Sequence, residues 1–134
     1  MLRKKMNNGD IAEFSVESVQ GGILLTLEHI PVDRLKKNTR KSVVLNPVNV
    51  SKLIDGLLGQ FCRLRGDGLT LEFSVSQPWE HIAAYISIKP DYVDDDIVIF
   101  PLHNHEIRFI RKALENMAES MLFVGTWSGE PEAL

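Results

Sequence analysis

The chain of 134 residues carries one pattern twice, and this repeat constrains its fold more than any other feature. Residues 12–61 show the alternation typical of strands and then an amphipathic helical stripe, and residues 69–123 show the same succession. Each helix follows an apolar strand that ends near Asn and Pro, at 45–47 and again at 100–104. Since a repeat of this size indicates two copies of one unit, we expect the copies to share a core.

Alternation of apolar and polar residues predicts the strands. Ala12, Phe14 and Val16 alternate with polar neighbours, and residues 69–75 do so more regularly. Further strands are expected at 23–30, 42–45, 82–88 and 97–100. The predicted fold class is therefore α+β, a duplicated unit of antiparallel strands followed by a helix, with two sheets and two main helices.

Capping residues and helical spacing predict where the helices lie. Asn46 is expected to cap the first helix, with Pro47 at its first position, and Asn104 to cap the second. Apolar residues then recur at helical spacing as far as Phe61 in the first helix and Met121 in the second. Most of this apolar surface is expected in the core, and the wider stripe of the second helix is also expected to bury a partner subunit.

The chain is predicted to be a single domain with short flanking segments. Residues 1–10 are expected to form a basic N-terminal arm, 11–127 the domain, and 128–134 an acidic tail. Its repeat halves are placed at about 11–65 and 66–127, because a Gly-Asp-Gly turn breaks the chain between them. Gly125-Thr126-Trp127 is expected to close the second helix.

The net charge of −3 conceals an asymmetry between the halves. Residues 1–65 hold 11 Lys and Arg against 6 Asp and Glu, whereas residues 66–134 hold 4 against 12. The basic residues of the first half concentrate near the N-terminus and in 34–41. A solvated loop is the simplest explanation of one such run, but several runs in one half favour a track for a polyanion.

The composition favours an intracellular protein. No apolar run approaches the roughly 20 residues of a membrane helix, and the polar start lacks a secretory signal pattern. The single Cys62, placed at the end of the first helix, forms no internal disulfide and is expected to be a buried, unreactive thiol. We expect the cytoplasm of a bacterium or a phage-infected host, with mitochondria as the alternative, and no membrane partner.

No motif predicts catalysis. His103 and His105 open a helix without a third clustered ligand, so capping and surface roles are preferred to a metal site. Residues 94–96 are three acidic residues that suit a solvated loop, and the glycines at 21–22 and 66–68 lack the spacing of a phosphate-binding loop. The prediction is therefore a non-enzyme with no catalytic residue, metal or cofactor.

Five segments in order along the chain carry a family resemblance: residues 22–27, 40–45, 48–54, 95–102 and 122–127. They resemble the Whirly family of single-stranded-DNA-binding proteins and its transcription-coactivator relatives. The resemblance implies a Whirly-like fold and binding of single strands without sequence readout, in replication, recombination or transcription. Plant members carry Lys-Gly-Lys-Ala-Ala-Leu where this chain has residues 8–13 without either lysine, which weakens the prediction of assemblies beyond tetramers.

Binding of a single strand needs cations for the phosphates and flat side chains for the bases. The predicted nucleic-acid-binding cations are Arg3, Lys4, Lys5, Arg34, Lys36, Lys37, Arg40, Lys41 and Lys89. Arg40 and Lys41 are preferred among them because the family resemblance places its basic pair there, and Arg63 and Arg65 are expected to reinforce them. Trp79 and then Tyr85 are the predicted stacking residues. The basic half is thus expected to supply most of the binding surface.

Two functions remain open from the sequence. The first is a single-stranded nucleic-acid-binding protein, with DNA favoured over RNA, that forms a homo-oligomer through its C-terminal helix. The alternative is a protein-interaction or assembly module of the same fold that binds no nucleic acid. In that case the last helix or the acidic half makes the contact, and a basic protein is the expected partner of the acidic half.

Overall fold

The computed structural model of the chain describes residues 1–76, 82–91 and 96–128, with the side chains described as far as 120. Within these residues the chain forms two four-stranded antiparallel sheets and two helices, which confirms the predicted α+β class. The elements are β1 (Leu2–Lys5), β2 (Ile11–Val19), β3 (Gly22–Ile30), β4 (Thr39–Leu45), α1 (Pro47–Gly59), β5 (Phe61–Gly66), β6 (Leu69–Val75), β7 (Ala84–Pro90), β8 (Val98–Leu102) and α2 (Asn104–Ser128).

The repeat is visible in the topology. The first sheet has the strand order β1-β2-β3-β4 and is followed by α1, and the second has the order β5-β6-β7-β8 and is followed by α2. The boundary between the units lies at Gln60, five residues before the predicted one. Gln60 ends α1 in the left-handed conformation, with φ of 81°. Phe61 and Cys62, predicted at the end of the helix, therefore lie in β5.

The start of α1 follows the prediction. Asn46 is the N-cap, and its side-chain oxygen accepts a hydrogen bond of 2.9 Å from the backbone N–H of Asn49. Pro47 is the first helical residue, where its missing N–H costs no hydrogen bond. Val50 and Leu53 on the inward side of this helix are fully buried.

The second helix starts and ends differently from the prediction. Asn104 is its first residue rather than its cap. The carbonyl of the preceding His103 accepts from the N–H of Ile107 at 3.1 Å, and Glu106 Oε1 accepts from the N–H of His103 at 2.9 Å. This is the reciprocal half of a capping box, with Glu106 closing the turn. The helix also runs through 125–127 to Ser128, since one glycine costs a helix only about 1 kcal/mol.

The predicted N-terminal arm contains a strand. Residues Leu2–Lys5 form β1 and pair with β2, with Leu2 opposite Phe14 and Lys4 opposite Ala12. Only one of these four residues is apolar, so the alternation that marks the other strands is absent here. β4 likewise begins at Thr39, three residues before its prediction, and so takes in the two cations Arg40 and Lys41 of the expected basic connection.

One core joins the two units. The inner faces of both sheets pack against each other and against both helices, with the rings of Phe14 and Phe100 5.8 Å apart between centroids. The largest fully buried side chains are Phe73, Phe100, Ile23, Leu25, Leu27, Leu53, Leu71, Ile86, Ile88, Leu102, Ile110 and Leu114. On the outer face of the second sheet Phe61, Arg63, Arg65 and Ile99 are exposed, whereas Thr70 and Pro101 are buried. Neither helix, over the residues described, combines the length and apolarity needed to span a membrane.

Candidate nucleic-acid interface

The outer face of the second sheet forms a surface of three cross-strand rows. Partners directly opposite each other in antiparallel strands point to the same side of a sheet. The rows are row one (Arg65, Thr70, Lys89), row two (Arg63, Glu72, Ser87, Ile99) and row three (Phe61, Ser74, Tyr85, Pro101). We call this surface the second-sheet face. It presents cations at one end and aromatic rings at the other.

The cations of the second-sheet face come from β5 and β7. Arg63 and Arg65 are exposed, and Lys89 is partly exposed. Arg63 Nε donates a 3.0 Å hydrogen bond to Glu72 Oε1, and its guanidinium carbon lies 5.4 Å from the centroid of the Phe61 ring. Arg63 is therefore held in place by a carboxylate and a ring. Because a guanidinium has five N–H donors, this bond to Glu72 leaves the other four for a ligand.

Flat and apolar side chains occupy the rest of the second-sheet face. The Phe61 side chain is 50% exposed although it is large and apolar, and Ile99 is 47% exposed. Tyr85 is partly exposed on the same row as Phe61. Exposed rings on an open sheet are platforms on which bases stack. Phe61 was assigned to the helical stripe, and the signal that locates it is the alternation from Phe61 to Arg65.

The outer face of the first sheet differs in charge. One row across it brings together Arg3, Glu13, Glu28 and Arg40, so two cations meet two carboxylates. Arg3 Nε lies 3.2 Å from Glu13 Oε2. Among the strand residues on this face none is aromatic, and the exposed Lys5 lies at its edge beside Ile11. The positive and negative charges of this row are therefore equal in number.

Arg40 and Lys41, the preferred cations of the sequence-based prediction, lie on opposite faces of the first sheet. Consecutive strand residues point to opposite faces, so Arg40 lies on the outer face opposite Glu28, while Lys41 is opposite Leu27 on the inner face. Arg40 is exposed and Lys41 is partly buried. The two cations were predicted from the basic pair of the resembling family, and the strand conformation places their side chains on opposite sides of the sheet.

Lys4, one of the predicted binding cations, makes contacts inside the fold. Its side chain is 15% exposed, forms an ion pair with Glu106, and donates a 2.7 Å hydrogen bond to the carbonyl of Pro101. Its ammonium also lies 5.4 Å from the centroid of the Phe100 ring. Burial alone would raise the pKa of Glu106, but the hydrogen bond from Lys4, the His103 N–H and the nearby positive charge together lower that pKa. Lys4 thus ties the first strand to the start of α2.

The cations Arg34, Lys36 and Lys37 lie in the exposed connection between β3 and β4, which we call the basic loop (residues 31–38). Asp10 anchors this loop, since its Oδ1 accepts from the N–H of Val32 at 2.8 Å. The basic loop connects strands of the first sheet and therefore does not belong to the second-sheet face.

Asp10 also binds a histidine beside the loop. Its Oδ2 lies 2.7 Å from His29 Nε2. The hydrogen bond from the Val32 N–H, followed by the hydrogen bond and charge of His29, lowers the pKa of Asp10 below its ordinary value of 3.8. Asp10, just before β2, therefore contacts both the end of β3 and the start of the basic loop.

Of the predicted stacking residues, Tyr85 lies on the second-sheet face, and Trp79 falls outside the described residues. His103 and His105 stack with centroids 5.9 Å apart, and the described part of the chain contains no cluster of three metal-binding side chains. Cys62 is buried, which raises the pKa of its thiol despite the opposing charge of Lys52.

The boundary at Gln60 changes the distribution of charge between the units. Residues 1–60 hold 9 Lys and Arg against 6 Asp and Glu, and residues 61–134 hold 6 against 12. The second unit is therefore acidic as a whole, although the rows of its outer sheet face carry three cations and only the carboxylate of Glu72, with Asp91 hydrogen-bonded to Thr70 beside row one. The prediction that the basic half supplies most of the binding surface was made from charges counted along the chain, without their placement on the two sheets.

Compared with protein-family models and with curated proteins, the chain matches none. The resemblance to the Whirly family therefore stays a prediction. The two sheets differ in the charged and aromatic side chains on their outer faces, and this difference distinguishes the second-sheet face as the candidate site.

Proposed function

We propose that the protein binds single-stranded nucleic acid on the second-sheet face, without reading an extended sequence. The observation that carries this proposal is the combination of three cations, the exposed Phe61 ring and the partly exposed Tyr85 on one sheet face. DNA is proposed over RNA because of the resemblance to the Whirly family. Replication, recombination and transcription are the proposed processes, since each exposes melted strands.

The rows suggest how a strand would lie. Adjacent rows are separated by two residues along each β-strand, or about 7 Å. Arg65 and Lys89 of row one, like Phe61 and Tyr85 of row three, stand two strands apart, or roughly 10 Å. A nucleic-acid strand crossing the β-strands would place phosphates over row one and turn its bases toward row three, where stacking contributes ~1–3 kcal/mol per base.

The aromatic row favours single strands over duplexes. In a duplex the flat surfaces of the bases are covered by their neighbours, so Phe61 and Tyr85 have no base to stack on. Phosphate contacts to row one remain accessible in a duplex, but they supply only the charge-dependent part of binding. We therefore expect single strands to bind more tightly at every salt concentration.

Fluorescence anisotropy with labelled single-stranded and double-stranded oligonucleotides across a salt series tests the proposal. Replacing both row-one cations, Arg65→Ala with Lys89→Ala, should weaken binding because two phosphate contacts are lost. The slope of log K against log salt should become shallower by about 1.4, at ~0.7 per phosphate contact for single strands. Lys36→Ala with Lys37→Ala in the basic loop removes the same charge and is the matched control, expected to change the slope less.

The outcomes separate the alternatives. An equal loss in both double variants would assign binding to general charge instead of the second-sheet face. A larger loss in the basic-loop variant would move the site to that loop. Absence of binding to any strand at low salt would contradict the proposed function and favour the protein-interaction module.

A further inference from the structure

Glu72 is an unusual residue for the middle of a phosphate-binding surface. It is the one carboxylate within the three rows of the second-sheet face, with Arg63 and Ser87 as its cross-strand neighbours. A second carboxylate, Asp91 just after β7, accepts a hydrogen bond from Thr70 beside row one. Its side chain is 30% exposed, and Oε1 accepts the 3.0 Å hydrogen bond from Arg63 Nε. A carboxylate repels a phosphate that is placed directly beside it. Row two is therefore unsuited to the nucleic-acid backbone, and something other than a phosphate is expected to contact it.

The position of row two suggests the edge of a base. Row two lies between the cations of row one and the rings of row three, about 7 Å from each. A base that stacks on Phe61 or Tyr85 with its phosphate over row one would direct its edge at Arg63 and Glu72. In unpaired nucleic acids these edges are free to form hydrogen bonds with protein.

The Arg63–Glu72 pair presents a donor beside acceptors. An ionised carboxylate only accepts hydrogen bonds, and a guanidinium only donates them. The pairing edge of guanine offers one carbonyl acceptor followed by two N–H donors. The carbonyl can therefore face the Arg63 guanidinium while the N–H donors face the Glu72 carboxylate. Thymine and uracil offer a single N–H between two carbonyl oxygens, so one of those oxygens would face the carboxylate. Adenine and cytosine each present one amino group beside an acceptor nitrogen.

We propose that Glu72, positioned by Arg63, is a specificity-determining residue that makes the second-sheet face prefer guanine over thymine or uracil at one nucleotide position. The inference rests on the proposed function and adds a base preference at one position to otherwise sequence-tolerant binding. Contacts of this kind discriminate between bases, and at this partly exposed site we expect a roughly five- to tenfold difference in affinity.

The test compares labelled thymine strands with strands that carry isolated guanines, spaced to prevent self-association, by fluorescence anisotropy. Wild-type protein should bind the guanine-containing strands more tightly. Glu72→Gln should abolish this preference, while its affinity for all-thymine strands stays the same or rises because a negative charge is removed. Glu13→Gln is the matched control, since Glu13 also pairs with an arginine on an outer sheet face and should leave the preference intact.

A second measurement needs no variant and so does not depend on how Glu72→Gln folds. Inosine lacks the amino group of guanine, so replacing guanine with inosine should remove much of the preference in the wild-type protein. Equal binding of guanine and thymine strands, a preference that survives Glu72→Gln, or inosine equal to guanine would overturn the inference and leave the proposed function standing. Absence of binding to every single strand would overturn both.

Discussion

At the scale of single residues, Lys4 shows that a cation within a basic segment of the sequence can form its contacts inside the fold. Its ammonium contacts Glu106, the Pro101 carbonyl and the Phe100 ring, and both charged side chains of the pair are mostly buried. Arg3, its neighbour in the same strand, points outward and pairs with Glu13 at the surface. The alternation of side chains between the two faces of a strand thus separates a structural ion pair from a solvent-exposed one.

Lys4→Met should lower the free energy of unfolding by about 2–3 kcal/mol, because Glu106 would keep a partly buried charge without its partner. Urea unfolding followed by circular dichroism measures the change. The control is Arg3→Met, whose side chain is 61% exposed and whose ion pair should contribute less than about 1 kcal/mol. Similar effects of the two substitutions would show that the Lys4 pair behaves as a surface pair.

Two glycines of α1 should respond oppositely to alanine. A Cβ at Gly56 would lie 2.3 Å from Cys62 Cβ and 3.0 Å from the Phe61 carbonyl oxygen, whereas a Cβ at Gly59 would meet nothing within 4 Å. Gly56→Ala should therefore destabilise the protein by about 1–3 kcal/mol through overpacking of the helix on β5. Gly59→Ala should stabilise it by up to about 1 kcal/mol through helix propensity, and thermal unfolding of both variants checks the signs.

At the scale of elements, local signals were sufficient for α1 and insufficient for β5. Asn46 and Pro47 determine a helix start through neighbours in sequence, and that prediction is confirmed. Phe61 continues the apolar spacing of α1, but Gln60 has already turned the chain into a strand that pairs with β6. Strand register is a non-local property, so the three rows of the second-sheet face were not predictable from one sequence. Only the individual cations and Tyr85 of this face were predictable from the sequence.

The anchoring of the basic loop by Asp10 should depend on pH. The folded protein lowers the pKa of Asp10, so its stabilising effect is complete above the ordinary pKa of 3.8 and is lost as pH falls through the lowered value. Wild-type protein should exceed Asp10→Asn in stability near neutral pH, and the difference should vanish in acid. Urea unfolding of both proteins between about pH 5 and about pH 2 measures this convergence. A constant difference over this range would contradict the assignment.

At the scale of the whole molecule, assembly through α2 remains a prediction that one exposed ring makes testable. Phe109 on α2 is 59% exposed, an unusual position for a large aromatic side chain in an isolated subunit. If α2 joins subunits, Phe109→Ser should shift the protein toward a smaller species in light scattering after size exclusion, while circular dichroism stays unchanged. A control substitution at the exposed Arg108 should leave the mass unaltered.

Gln60, in the left-handed conformation, is where one unit ends and the other begins, and both units contribute to one core. The molecule therefore resembles a dimer whose subunits happen to be covalently connected. Each half by itself would expose the apolar face that the other half covers. For such a chain, the covalent link at Gln60 keeps the two halves at a high local concentration. Loss of either half would expose the apolar face of the other half to water.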